Sequence, residues 1–314
     1  MMRLPSAALG LMAWVWVGGL HAASTDPAPP AENRPLASEA SHDLERLGDL
    51  LLNSGAAIGE GAEPAMKQQS VKCELGKLDG MSVRRLVGCG SATMITFPAD
   101  PSLKLVRFEI DPGDAKISGG TRAEFQDLYK AHNGEENWYR FSDALPRDFP
   151  LPNNRVVLAQ WHEYVAGDGN ALRPPLAHRL INGQFVVTLW NSTLYAESKG
   201  DGDGLTLFRE PKFELGIFHE YVYRILWSPD EKGLVTGWRR TKCLLVKATC
   251  ETGAWEKFID YKGPIGYSDI GGYYFKYGLY TTHKFDQPMI EYALDYARGP
   301  TANSVNAVGA LFQN

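Results

Sequence analysis

Three short segments carry polar side chains that could do chemistry together, although they lie far apart in the sequence. They are Arg122-Ala123-Glu124, Gln160-Trp161-His162 and Tyr274-Phe275-Lys276-Tyr277-Gly278-Leu279-Tyr280. Successive side chains of a β-strand point to opposite faces. Each segment, read as a strand, therefore places its polar side chains on one face and its apolar side chains on the other. The pattern predicts three strands that present polar groups to one surface.

These residue types suit a β-elimination at a carbon next to a carboxylate. The proton on that carbon is hard to remove while the carboxylate keeps its charge, so the charge must be neutralised first. Arg122, Gln160 and Lys276 are predicted to bind that carboxylate as cationic and amide donors. Histidine titrates near neutral pH and tyrosine in the alkaline range. His162 and Tyr280 are therefore the predicted acid–base pair, with either as the base.

Each of these residues also has an ordinary structural interpretation. Arg122 and Glu124 could form a surface ion pair, and Tyr274 and Tyr280 could be the aromatic residues that are common in strands. The ordered pattern favours a binding surface instead, with Glu124 orienting a neighbouring cation. Gly278 would then remove bulk where a substrate approaches the strand.

The three motifs, in this order, resemble the R-x-E, Q-x-H and Y-F-K-x-G-x-Y signatures of the jelly-roll polysaccharide lyases. The stretch from Asn137-Trp138-Tyr139 to Pro174-Pro175-Leu176-Ala177 is most similar to the glucuronan lyase and heparin lyase I branch. The resemblance covers roughly residues 105–298. It implies an all-β jelly roll, a two-sheet sandwich with a concave groove that binds an acidic polysaccharide.

The same resemblance implies roles for individual residues. His162 and Tyr280 would transfer protons, while Arg122, Gln160 and Lys276 would hold the substrate carboxylate. The other predicted substrate-binding residues are Glu124, Tyr274 and Arg179, the last extending the groove to a neighbouring sugar. The branch also binds a structural calcium ion, and Asp269 resembles one of its ligands; the chemistry itself needs no cofactor.

Charge limits the classes of partner. The chain has 314 residues and a formal net charge of −5. An acidic protein does not attract polyanions over its whole surface, so binding must depend on a local cationic groove. This argues against nucleic acid and, more mildly, against heavily sulfated glycans.

The N-terminal region predicts export. Residues 1–22 combine Arg3, an apolar stretch from Ala7 to Leu20 and small residues at the end, which is typical of a signal peptide. A membrane anchor is the alternative for this segment. We expect a secreted or periplasmic protein that is monomeric and leaves the membrane once the signal is removed.

The cysteines and the region after the signal complete the predicted domain plan. In an oxidising compartment the four cysteines would pair, and nearest neighbours give Cys73–Cys89 and Cys243–Cys250. Residues 23–70 are rich in Ala and Pro and are predicted to be a linker with a short helix at Ser41–Leu52. That helix could instead pack on the catalytic domain. Residues 71–314 are predicted to form the jelly roll.

After Val71 the sequence consists of short alternating segments separated by Gly, Pro, Asn and Asp, which is typical of a two-sheet β protein. The predicted strands include Leu105–Ile110, Gln184–Trp190, His219–Trp227, Gly233–Trp238 and Tyr273–Thr281. We therefore expect a secreted lyase that cleaves an unsulfated polyuronate, glucuronan before alginate. The alternatives are a non-catalytic carbohydrate-binding jelly roll and a heparin-type glycosaminoglycan lyase.

Overall fold

The structure is a computed structural model that describes residues 67–72, 84–87, 89–96, 104–151, 153–165, 172–242 and 252–307. The predicted signal peptide and nearly all of the predicted linker, with its helix, lie outside these ranges. Cys73, Cys243 and Cys250 lie outside them as well. Cys89 is described and is disulfide-bonded. Its partner is therefore not among the described residues, and the two proposed pairings stay predictions.

The described residues form fifteen strands, one short α-helix and one 3₁₀ turn. The strands are β1 (Lys67–Lys72), β2 (Arg84–Val87), β3 (Ser91–Thr96), β4 (Lys104–Ile110), β5 (Thr121–Asp127), β6 (Glu136–Ala144), β7 (Arg155–Glu163), β8 (Leu176–Ile181), β9 (Gln184–Leu189), β10 (Leu205–Glu210), β11 (Phe218–Leu226), β12 (Leu234–Lys242), β13 (Glu256–Lys262), β14 (Tyr273–Thr281) and β15 (Met289–Gly299). Helix α1 is Ser192–Ser198 and the 3₁₀ turn is Asn303–Val305.

The strands make two antiparallel sheets. Seven form one sheet in the order β10-β9-β8-β7-β14-β5-β2, which we call the site sheet. Eight form the other in the order β1-β3-β4-β15-β6-β11-β12-β13, which we call the back sheet. Strands that are distant in sequence are neighbours in both sheets. The architecture is a two-sheet sandwich of the jelly-roll type, which confirms the predicted fold class.

Large aromatic side chains fill the space between the sheets. Trp161 and Phe275 of the site sheet pack at a ring-centroid distance of 4.8 Å, and Phe141 of the back sheet lies 5.0 Å from Phe275. All three are almost fully buried. Because side chains alternate along a strand, burying Trp161 and Phe275 turns their neighbours toward the other face of the site sheet.

Four of the five predicted strands agree with the structure to within one residue at each end, and the fifth, Gly233–Trp238, corresponds to β12, which continues to Lys242. Leu105–Ile110 is extended by one residue at its start, and Tyr273–Thr281 matches β14 residue for residue. Helix α1 was not predicted, since its seven residues are too few to show an apolar period. Among the described residues, no helix has the length and apolar character needed to cross a membrane.

Candidate functional site

Three adjacent strands of the site sheet bring the three motifs together. β14 lies between β7 and β5, and both pairings are antiparallel. Lys276 is opposite Gln160 on β7, and Tyr274 is opposite His162. On the other side, Tyr280 is opposite Arg122. The predicted strand parity is confirmed, because the alternate residues of these strands belong to the core.

Glu124 is the centre of this arrangement. Its Oε2 lies 3.2 Å from Arg122 Nη1 and 3.2 Å from Lys276 Nζ. Its Oε1 accepts a short hydrogen bond from Gln160 Nε2. We call these four residues the Glu124 cluster. One carboxylate therefore orients three groups that were predicted to bind the carboxylate of a substrate.

The Glu124 cluster is buried and carries one net positive charge. Glu124 is fully buried, and Arg122 and Lys276 are 7% and 4% exposed. The alternative of a surface ion pair between Arg122 and Glu124 is therefore wrong. Burial lowers the pKa of Lys276, an effect that the Glu124 carboxylate opposes. Two cations and one anion leave a single positive charge, which matches a single carboxylate.

Gly278 has a different role from the predicted one. A Cβ at this position would lie 2.3 Å from the Ala123 carbonyl oxygen and 3.0 Å from Glu124 Cα, and φ is +113°. β14 has a bulge here, between Tyr277 and Tyr280. The glycine is needed because the backbones of β14 and β5 approach closely in a conformation that L-residues avoid. The neighbouring backbone, and not a sugar, accounts for the missing side chain.

His162 contacts a carboxylate that the sequence analysis missed. Its Nδ1 is 3.2 Å from the Glu163 carbonyl oxygen, to which it is hydrogen-bonded, and 3.0 Å from Glu163 Oε2, without the alignment of a hydrogen bond. Glu163 Oε1 accepts from the Leu172 backbone N–H at 2.5 Å. Two acceptors beside Nδ1 favour the tautomer with the proton on Nδ1 and a lone pair on Nε2.

Two tyrosines lie at opposite ends of the Glu124 cluster. The Tyr274 ring stacks on His162 with centroids 5.7 Å apart. The Tyr280 ring lies under the Arg122 guanidinium, 3.9 Å from its carbon, and packs against Gly120. The structure thus pairs His162 with Tyr274, and it separates Tyr280 from His162 by the length of the cluster.

Arg179 lies on the same face of the sheet but away from the Glu124 cluster. It is opposite Val157 of β7, and Val157 is opposite Tyr280 of β14. Arg179 is only 3% exposed. Its Nε and Nη1 lack hydrogen-bond partners within the described ranges. It is therefore in the predicted position along the sheet, but it is more enclosed than a groove residue would be.

The calcium prediction remains untested. Asp269 is exposed, and nowhere in the described part of the chain do three or more His, Cys, Asp or Glu side chains group as metal ligands. Asp203 of the glycine-rich loop 199–204 is paired with Arg155 at 3.0 Å. A calcium ion at Asp269 would need backbone carbonyls for most of its coordination.

The core holds two acidic residues that sequence reasoning did not identify. Asp143 of β6 and Glu291 of β15 are almost fully buried, and their carboxylate oxygens have no hydrogen-bond partners among the residues described. Burial raises the pKa of Asp143 to about 8. Burial, together with the Asp143 charge, raises the pKa of Glu291 well above its ordinary value. The pair is therefore at least partly protonated at neutral pH.

Two loops line an open pocket at the end of the site sheet. It has a volume of about 770 Å³ and lies between the β6–β7 and β14–β15 loops. Thr281, which follows Tyr280, ties these loops together by donating to the Arg155 carbonyl oxygen at 2.9 Å. The amide side chains in its lining are of the kind that bind hydroxyl groups. The polar residues of that lining are Asn153, Asn154, Lys284, Asp286 and Gln287.

The sequence matches a known enzyme family over most of this fold. Residues 90–295, more than half of the chain, match the family described as polysaccharide lyase. The chain belongs to the polysaccharide lyase family. The matched range contains all three motifs and the Glu124 cluster. The chain is therefore a lyase, and its family implies an acidic polysaccharide as substrate.

A solved glucuronan lyase structure shares this fold, and two alginate lyases are similar at lower TM-scores. The lyase superposes on the endo-β-1,4-glucuronan lyase from the fungus Trichoderma reesei with a TM-score of 0.50 and 18% identity, over 73% of this chain and 95% of that one. The alginate lyase PA1167 from Pseudomonas aeruginosa gives a TM-score of 0.39 and 15% identity, over 62% and 82%. A family 7 alginate lyase, A1-II', gives 0.40 and 13%, over 63% and 80%. No curated protein matches the sequence.

Proposed function

We propose that this lyase cleaves an unsulfated polyuronate by β-elimination and leaves an unsaturated uronate at the new end. The observation that carries the proposal is the Glu124 cluster, which carries one net positive charge on a sheet face that also bears His162 and Tyr280. A buried cluster with one net positive charge is suited to binding one carboxylate at a time. The reaction itself requires no cofactor.

The Glu124 cluster would act on the carboxylate next to the reacting carbon. As the proton leaves that carbon, negative charge moves onto the carboxylate, where Lys276, Arg122 and Gln160 stabilise it. Glu124 keeps these donors aimed, so little reorganisation accompanies the reaction. Arg122 Nε is enclosed without a described hydrogen-bond partner. Substrate binding could give this donor an acceptor.

His162 is the base in this proposal. With the proton on Nδ1, the Nε2 lone pair can take the proton from the carbon. The electrons of the broken C–H bond form the new double bond, and the bond to the glycosidic oxygen breaks. Glu163 stabilises the imidazolium that forms, because its carboxylate lies 3.0 Å from Nδ1.

Tyr280 is the proposed acid for the leaving oxygen. It lies on the same face of the site sheet as His162, in the row of Arg122. The Arg122 guanidinium lies over its ring, 3.9 Å from the ring centroid. Tyr274, which stacks on His162, is the hydroxyl that could take this role instead.

Glucuronan is the first candidate among polyuronates, followed by alginate and then heparin-type glycans. The Trichoderma reesei structure whose fold matches over most of its length is described as an endo-β-1,4-glucuronan lyase. The negative net charge of −5 argues against heavily sulfated chains. We also propose that the protein is exported and monomeric, and that calcium has only a structural role.

A non-catalytic carbohydrate-binding module is the competing function. Such a module needs amides and aromatics, but it needs no base with an oriented tautomer beside a buried carboxylate. The contact between His162 and Glu163 favours catalysis for this reason.

The test is to incubate the protein with glucuronan, alginate, hyaluronan and heparin and to follow the absorbance of unsaturated uronate ends. We expect product from an unsulfated polyuronate and far slower product formation from the His162→Ala variant. Binding of a polyuronate without any product would support the carbohydrate-binding module.

A further inference from the structure

The carboxylate beside His162 depends on a backbone group for its position. Glu163 is 3% exposed, and its Oε1 accepts from the Leu172 backbone N–H at 2.5 Å. Its Oε2, which lies 3.0 Å from His162 Nδ1, has no hydrogen-bond partner among the residues that the structure describes. The place of this carboxylate is therefore set by where Leu172 lies, in the connection between β7 and β8.

Two contacts from other loops hold the residue after Leu172. The Arg173 backbone carbonyl oxygen accepts from the Tyr267 hydroxyl at 2.7 Å, and Arg173 Nε donates to the Gly200 carbonyl oxygen at 2.7 Å. Gly200 follows helix α1, whereas Tyr267 lies in the connection between β13 and β14. We call these two contacts the Arg173 clamp. They fix the segment that supplies the Leu172 N–H to Glu163.

Tyr267 is itself attached to the site sheet. Its backbone N–H donates to the Tyr273 hydroxyl oxygen at 3.0 Å, and that hydroxyl donates to Asn133 Oδ1 at 2.8 Å. Tyr273 is the first residue of β14 and lies opposite Glu163 of β7. Burial is the main cause that raises the pKa of Tyr267, and the Glu163 charge raises it further. The Tyr267 hydroxyl therefore stays protonated and can donate to Arg173.

We propose that Tyr267 is a positioning residue of the reaction, which acts on His162 through the Arg173 clamp and Glu163. This inference rests on the proposed function, since it takes His162 as the base. Without the Tyr267 hydroxyl, the Arg173 carbonyl is free to move, and the Leu172 N–H moves with it. Glu163 then loses its fixed place beside the ring. Small displacements of groups that orient a functional side chain lower the rate even when they lie far from the reacting atoms.

The test compares Tyr267→Phe with a matched control, Tyr261→Phe. The Tyr261 hydroxyl also donates to a backbone carbonyl, that of Pro264 at 3.1 Å, and this carbonyl has a second donor in Asn191 Nδ2 at 3.2 Å. Steady-state kinetics on the best polyuronate should show kcat about threefold to tenfold lower in Tyr267→Phe, less than for a direct partner of the histidine. KM should not change, because the buried Tyr267 does not touch the substrate. Tyr261→Phe should change neither constant.

A double-variant comparison separates positioning from stability. In Glu163→Gln the charge through which Tyr267 acts is missing, so adding Tyr267→Phe should lower kcat by a much smaller factor than it does in the wild type. Thermal unfolding measures the structural part. Each tyrosine variant loses one hydrogen bond, so Tm should fall by a few degrees in both, whereas kcat should fall only in Tyr267→Phe.

An unchanged kcat in Tyr267→Phe would overturn the positioning role, and so would an equal loss of kcat in the Glu163→Gln background. If Tyr267→Phe does not fold, Arg173→Met is measured in its place, because it releases the same clamp from Gly200. An unchanged kcat there has the same consequence. Failure of the proposed function is read separately, as the absence of unsaturated product from the wild type.

Discussion

The Glu124 cluster and Arg179 are cationic regions on one face of one sheet, but they are built in opposite ways. In the cluster, a buried carboxylate contacts Lys276 and Arg122 at 3.2 Å each. Arg179 is equally buried and has no such partner in the described residues. An internal partner fixes the geometry of donors before the substrate arrives, which suits chemistry. Arg179, which no described carboxylate contacts, is not oriented in this way.

The largest effect should follow from removing the proton-transfer groups at the ends of the Glu124 cluster. His162→Ala and Tyr280→Phe should each lower kcat by ~10²–10⁴-fold, because each deletes a general acid or base. Steady-state product formation on the best polyuronate measures this. Circular dichroism should show an unchanged fold in both variants.

Tyr274→Phe is the matched control for Tyr280→Phe, because it also removes one hydroxyl from β14. We expect it to lower kcat much less. The reverse order of the two tyrosine variants would assign the leaving-group acid to the ring that stacks on His162. Near wild-type rates in both His162→Ala and Tyr280→Phe would mean that these two residues do not transfer the protons of the reaction.

A smaller effect should come from Glu163→Gln. The amide can still accept from the Leu172 N–H, but it no longer places a negative charge 3.0 Å from His162 Nδ1. We expect kcat to fall by about 10- to 100-fold, as for other residues that orient a functional histidine. The charged groups nearest to His162 on its own and the adjacent strand are Glu163 and Lys276, and Tyr274 stacks on its ring.

Glu197→Gln, which removes an exposed carboxylate from α1, is the control and should leave kcat unchanged. A kcat in Glu163→Gln as high as in the wild type would contradict the proposed role of the Glu163 carboxylate.

The smallest effect concerns stability and lies in the core, where Asp143 and Glu291 are enclosed without hydrogen-bond partners in the described part of the chain. The folded-state pKa of Asp143 is raised to about 8, above its value in the unfolded chain. The stability that Asp143 contributes is therefore fully present below about pH 4 and is lost as the pH rises through about 8. Asp143→Asn should raise Tm at pH 9 and weaken the dependence of Tm on pH.

Differential scanning fluorimetry from pH 5 to pH 9 measures this effect. Asp260→Asn serves as the control, since Asp260 is exposed and pairs with Lys257 at 3.0 Å. Asp143→Asn should leave oligoglucuronate affinity unchanged, because Asp143 lies in the core. A Tm of Asp143→Asn that changes with pH as steeply as the Tm of the wild type would contradict the raised pKa of Asp143.

Much of the fold and of the site was predictable from local patterns. The two-residue period of strands placed Gln160 and His162 on one face, and Trp161 in the core, without any knowledge of the sheet. The Glu124 cluster also requires that β5, β7 and β14 be neighbours. The resemblance to the lyases implied one shared groove, but not this strand order. Strand boundaries were the weakest part, as in β12, which extends well past Trp238.

The rest depends on contacts that a one-dimensional pattern does not contain. Strand parity places the side chains of Glu163 and His162 on opposite faces of β7. At the end of this strand, however, the Glu163 carboxylate lies 3.0 Å from His162 Nδ1. The sequence suggests that Gly278 leaves space for a substrate, but the structure places the β5 backbone beside it. Asp143 and Glu291 lie 148 positions apart in the sequence. Only the pairing of β6 with β15 brings their strands together.

The central claim is that the Glu124 cluster stabilises charge that develops on the substrate carboxylate, and Lys276→Met tests it most directly. Methionine keeps much of the side-chain length and removes the cation, which leaves the cluster with no net charge. Steady-state kinetics on the best polyuronate should show kcat falling by a larger factor than KM rises, since the charge appears only in the transition state. A raised KM with an unchanged kcat would show that Lys276 only holds the substrate, and the account of the cluster would be wrong.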